Sequence, residues 1–192
     1  MKIIGALSVA LTGAMMMVAI PADAQTKART QYEGAAAAIV DGKGNMHVPA
    51  AYRTTFQMLG TWAVAADSGA GSKEMHTVYA SPGTIAAYRE AGRFPDGTVL
   101  VKEVFKATTK PMTTGTVSSA GTLAGWFVMV KDDLGRFPDN KLWGKGWGWA
   151  WFDAATPGKT TSTDYTKDCQ SCHVPAQASD WIYIDGYPPL RR

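Results

Sequence analysis

The residues with the most evident chemistry are Cys169, Gln170, Ser171, Cys172 and His173, the run CQSCH. Two thiols separated by two residues, with a histidine directly after the second, form the attachment pattern of a c-type haem. Each thiol can add across one vinyl group of a porphyrin while the adjacent imidazole reaches the iron, which makes His173 the proximal ligand. Three other readings use the same side chains. A thioredoxin-like redox pair expects a strand leading in and a helix leading out, yet TTSTDYTK precedes the motif and Pro175 follows closely. A closed zinc site needs four ligands, and with only two cysteines in the chain His47 and His76 would have to complete it. A disulfide across so short a loop adds little constraint.

The N-terminal residues favour the haem reading. Lys2 gives a positive start, residues 3–20 form an apolar run containing MMMVAI, and Pro21-Ala22-Asp23-Ala24 ends in a small-x-small cleavage pattern. Cleavage is expected before Gln25. A membrane anchor is the competing reading, but the run is short and contains Ser8, Thr12 and two glycines. The expectation is a soluble, exported protein in a bacterial periplasm, with residues 1–24 as signal peptide, 25–34 as a flexible N-terminus and 35–192 as a single domain. The net charge of +3, without a Lys/Arg run, argues against nucleic acid as a partner.

The elements that must position the motif read mainly as strands. TWAVAA and EMHTVYA carry β-branched and aromatic residues on either side of the turn DSGAGSK. Ser81-Pro82 followed by GTIAAYREAG predicts a helix capped by Ser81, with Pro82 in its first position and Gly92 at its end. FPDG is a turn that leads into TVLVKEVF. There Leu100, Lys102 and Val104 share one side of the strand, and Val99, Val101, Glu103 and Phe105 the other. A lysine between apolar neighbours is either a snorkelling edge residue or, buried beside a cofactor, a neutral nucleophile. KATTKPMTTGTVSSAG reads as a polar loop. GWFVMVKDD is a strand apolar on both faces, with Phe127 and Met129 on one side. WGKGWGWAWF reads as a strand with Trp143, Trp147, Trp149 and Trp151 on one face and small residues on the other, open to a backbone or a flat ligand. The fold class expected is mainly β (α+β): an antiparallel sheet with one or two short helices and the haem motif near the C-terminus.

Over DGKGNMHVPAAYR, EMHTVYASPGTIAAYREAGRFPDGTVLVKE, GWFVMVKD, CQSCH and SDWIYIDGYPPL the chain resembles the cytochrome P-460 and cytochrome c′-beta group. The resemblance implies a homodimer of β-rich subunits, each holding one five-coordinate haem c through Cys169, Cys172 and His173; the short N-terminal run with its cleavage site sets the separate expectation of no insertion into a membrane. In the P-460 branch a lysine of the VKE segment, matched by Lys102, is covalently joined to a meso carbon of the porphyrin. That branch oxidises hydroxylamine, giving nitrous oxide, and passes electrons to an acceptor such as a c-type cytochrome.

Two positions depart from the pattern. Phe127 stands where the oxidases have a pocket carboxylate, and His76 stands where the family has a distal arginine. His76 can take over as base, since histidine suits proton transfer near neutral pH. Phe127 instead resembles the c′-beta branch, whose aromatic cap favours nitric oxide or carbon monoxide. A third reading, a simple electron carrier, would need Met46, Met58, Met75, Met112, Met129 or His47 as a sixth ligand.

Overall fold

The computed structural model describes residues 32–191. The expected signal peptide lies outside the described residues, as does most of the expected flexible N-terminus. Of the latter, Tyr32 stacks on Trp143 at 6.1 Å between ring centroids. Among the described residues no helix is long and apolar enough to cross a membrane.

The chain builds one six-stranded antiparallel sheet from β1 (Gln57–Ala65), β2 (Ser72–Ala80), β3 (Val99–Met112), β4 (Gly115–Lys131), β5 (Trp143–Gly144) and β6 (Trp147–Asp153), in the order β1-β2-β3-β4-β6-β5. The centre of the sheet is apolar on both faces because both faces are covered. On the front, Val78, Leu100, Met129 and Trp149 pack against the helix Thr84–Ala91 through Tyr88, and against Cys169, Trp181, Ile182 and Tyr187 of the C-terminal segment. On the back, Val99, Val101, Val128, Val130 and Phe152 pack against Ala36, Ile39, Met46 and Tyr52 from the N-terminal side. The alternation read from TVLVKEVF and GWFVMVKDD is thus the division between two cores.

Three local expectations are corrected. The helix begins at Thr84 with Gly83 as N-cap at φ 82°, so Ser81 does not cap it. The Ser81 hydroxyl instead accepts from the Val99 backbone N–H at 3.0 Å and joins the start of β3 to the end of β2. Gly92 does end the helix, at φ 77°.

Residues 106–121, expected as a polar loop, continue β3 and β4 into a long hairpin with Thr108 opposite Ser119 and Thr109 opposite Ser118. Their threonines and valine suit a two-sided solvated ribbon, where no apolar alternation is needed. A side-chain bond of 2.8 Å between Thr109 and Ser118 adds to the ladder.

The tryptophan run is two strands. Lys145 at φ 57° and Gly146 at φ 78° reverse the chain, as a tight hairpin with two positive central residues requires. Trp143 therefore lies on the back face, opposite Trp147 and Trp149. It also fills the space left by the small residues of β6: a Cβ on Gly148 would stand 2.8 Å from the Trp143 ring.

Candidate functional site

The front of the sheet and the C-terminal segment enclose a cavity of about 620 Å³, within the usual size range of small-molecule and cofactor sites. Its sheet wall follows from the register. His76 lies between Trp62 and Val104 in one cross-strand row, and Val78, Lys102, Phe127 and Trp151 form the next. Its opposite wall carries Cys169, Cys172, His173, Ile182, Tyr183 and Tyr187. All six residues expected to do chemistry, Lys102, His76, Phe127, Cys169, Cys172 and His173, line this one cavity.

The CQSCH run forms a short helical turn, Gln170–His173, with Cys169 before it. What leads in is another helical turn, Tyr165–Asp168, not the strand of a thioredoxin-like site. The two cysteines form no disulfide with each other. Burial, reinforced by the neighbouring Asp168, pushes the Cys169 thiol up to about 11. Among the described residues no group of three or more His, Cys, Asp or Glu side chains converges as a metal cage would, which leaves the zinc reading without a ligand set.

His173 is oriented from two sides. Its Nδ1 donates to the Trp181 carbonyl at 2.6 Å, and the Trp149 ring meets it edge-on at 5.0 Å. With Nδ1–H so engaged, Nε2 is the nitrogen left with a lone pair for a metal. Burial holds the imidazole below the ordinary histidine pKa, with the Lys102 charge acting in the same direction, so the neutral ligating form is favoured. The Tyr183 hydroxyl donates to the Cys172 carbonyl at 2.6 Å and ties the tail to the motif.

Lys102 projects into the cavity with its ammonium 4.4 Å from the centre of the Phe127 ring. Among the described residues it makes no ion pair. Burial lowers its pKa, only partly offset by the nearby Cys172 and Glu74. Its neighbour Glu103 points to the back and is 3 % exposed. There Glu103 accepts from the Tyr52 hydroxyl and from Arg53, while the Trp126 indole donates to the Tyr52 hydroxyl at 2.7 Å. This rear anchor fixes the roll of β3 and thereby the aim of Lys102.

Glu74 also belongs to the site. Two residues before His76 on the same face of β2, its carboxylate lies 2.9 Å from His76 Nε2, and both line the cavity. An i, i+2 pair on a strand was the available signal. Of the candidate sixth ligands only Met129 reaches the cavity. Met46 is in the back core, His47 lines a separate cleft, Met75 shares the face opposite His76, and Met58 and Met112 are half exposed.

Two thiols and an imidazole on one turn, facing an apolar cavity with the imidazole's outer nitrogen already engaged, suit a covalently attached porphyrin. Fold and site together define a β-rich protein of the c-type haem class. In a comparison with protein families, residues 49–184 match Cytochrome P460. The chain belongs to that family, whose members carry a c-type haem with iron. A search of curated proteins gave no match.

Proposed function

We propose that this protein is a periplasmic, homodimeric monohaem cytochrome that oxidises hydroxylamine and delivers the electrons to a c-type cytochrome. Cys169 and Cys172 hold the haem by thioethers, and His173 is the iron's protein ligand. When bound, the haem supplies a vacant iron position for a small nitrogen compound and accepts its electrons. The chain's own task is to shape the site and to take up the protons that oxidation releases.

Lys102 carries the reading. A buried lysine without an ion pair on a central strand costs stability, which makes it a candidate for a role in the cavity it enters. Its lowered pKa raises the fraction present as free amine, the nucleophilic form that a crosslink to the porphyrin rim would need, the N–H and ring C–H hydrogens leaving as two protons and two electrons to an external two-electron oxidant. In the mature wild-type protein the expected result is one haem mass with a lysine-linked peptide and a red-shifted ferrous band. Lys102→Leu should keep the haem on Cys169 and Cys172 but lose that band. An unchanged spectrum in the variant would reject the crosslink. Steady turnover of hydroxylamine with an artificial acceptor tests the activity itself, and its absence in fully haem-loaded protein would reject the enzyme.

His76 and Glu74 are the proton acceptors in this reading. An ionised carboxylate only accepts hydrogen bonds, so the proton of the pair sits on Nε2 and His76 Nδ1 is left as the basic atom. Phe127 favours a second reading, a binder of nitric oxide or carbon monoxide, because its ring packs on Trp151 at 4.5 Å and makes that side of the cavity apolar. Tight nitric oxide binding by ferrous protein that does not turn over hydroxylamine would select it.

A further inference from the structure

Beside the motif the backbone takes an unusual course. Asp180 and Trp181 lie at φ 58° and 68°, consecutive non-glycine residues in the left-handed region. A bulky side chain such as tryptophan rarely sits there without surrounding contacts that force it. The Trp181 carbonyl is the group that accepts from His173 Nδ1, so the bend at 180–181 decides where that acceptor stands.

The Asp180 carboxylate is held by donors from three separate parts of the fold. Lys131 Nζ, at the end of β4, lies 3.0 Å from Oδ1. The Trp147 indole N–H, on β6, reaches Oδ1 at 3.3 Å and the Asp180 carbonyl at 3.0 Å. The Phe94 backbone N–H, after the helix, reaches Oδ2 at 3.3 Å. Lys131 is itself buried and also pairs with Asp133 at 3.0 Å. The acceptor for His173 is therefore bolted to the sheet rather than carried by the tail alone.

We propose that Asp180 is a positioning residue for His173: by pinning this bend to Lys131, Trp147 and Phe94 it fixes the carbonyl that accepts from Nδ1 and so sets how strongly the histidine donates to iron. A firm Nδ1–H bond gives the ring more imidazolate character, which strengthens the metal–nitrogen bond and stabilises the ferric state. The inference rests on His173 being the iron ligand and is independent of the molecule turned over.

The test is resonance Raman spectroscopy of the ferrous holoprotein together with its reduction potential. Asp180→Asn keeps the shape but removes the charge and presents an amide donor to Lys131 or Phe94. The expected result is an iron–imidazole stretch at lower frequency and a potential shifted upward. Lys131→Gln should move both in the same direction, and Lys131→Arg should restore them. A lower melting temperature with both spectroscopic values unmoved would reduce Asp180 to a structural contact and overturn the proposal. Where Asp180→Asn yields no holoprotein, Lys131→Gln decides by the same two readings. Absence of an iron–imidazole band in the wild type would instead reject His173 as the ligand.

Discussion

At the scale of single residues, the site gathers three ionisable side chains in three different surroundings. Lys102 lacks a carboxylate, His173 is kept neutral by burial, and His76 has found its acid two residues away on its own strand. The His76–Glu74 pair makes a kinetic prediction. In the proposed hydroxylamine oxidation, His76→Leu would remove the proposed base and should lower the rate by about 10²-fold, the low end of what a positioned base contributes. Glu74→Gln should lower it less, because the amide can still accept from Nε2 but no longer stabilises the charged ring. Equal rates in all three proteins, measured by single turnover, would remove the pair from the mechanism. CQSCH and Lys102 stand out in the sequence as anomalies in their local patterns, whereas His76 and Phe127 stand out only against the resemblance to the P-460 group. Glu74 stands out in neither way: a glutamate near a strand start looks like any solvated edge residue, and only register places it over the cavity. Glu103 and Tyr52 were hidden for the same reason, since their meeting spans 51 positions.

At the scale of elements, strands were readable wherever one face had to be apolar, and misread where packing on both sides or on neither broke that signal. The hairpin beyond residue 106 has no buried face, so its composition resembles a loop although its backbone is paired from Ala107–Ala120 to Met112–Gly115. The tryptophan run reads as one strand because Lys145-Gly146 lacks the usual Asn-Gly signature of a two-residue turn. That turn sends Trp143 over Gly148, and a methyl group there has 2.8 Å where it needs ordinary contact. Gly148→Ala should therefore cost about 1–3 kcal/mol, the usual penalty of overpacking. Urea unfolding would show this as a lower midpoint at unchanged slope. Because Trp149 follows directly on the same strand and braces His173, loss of this packing should also broaden the haem spectrum.

At the scale of the whole molecule, a second set of charges locks the loop after β4 to the turn before β3. Arg136 pairs with Asp132 at 2.7 Å and with Asp96 at 2.6 Å, and the Arg136 and Asp132 side chains are each only 4 % exposed. Arg136→Leu strands the Asp132 charge and should cost about 3–5 kcal/mol, the range for breaking a buried pair from one side. Acid acts on the same lock. Burial works to raise the Asp96 pKa, but its bonds from Arg136 and the Asp133 N–H outweigh that and hold it below 3.8. The sign follows: the folded protein holds this carboxylate ionised more firmly than the unfolded chain does, so its stabilisation is complete above pH 3.8 and disappears as pH falls through the lowered folded value. In Asp96→Asn the stability deficit relative to wild type should shrink over that acid range. A constant deficit across a pH series would show that the lock is not electrostatic. The order of the chain adds a last consequence. All six strands end by Asp153, before the CQSCH turn begins, and Cys169 is 7 % exposed once the tail is seated. A sulfur this buried is poorly placed for a protein catalyst, so thioether formation at Cys169 is expected to precede the seating of the tail on the sheet.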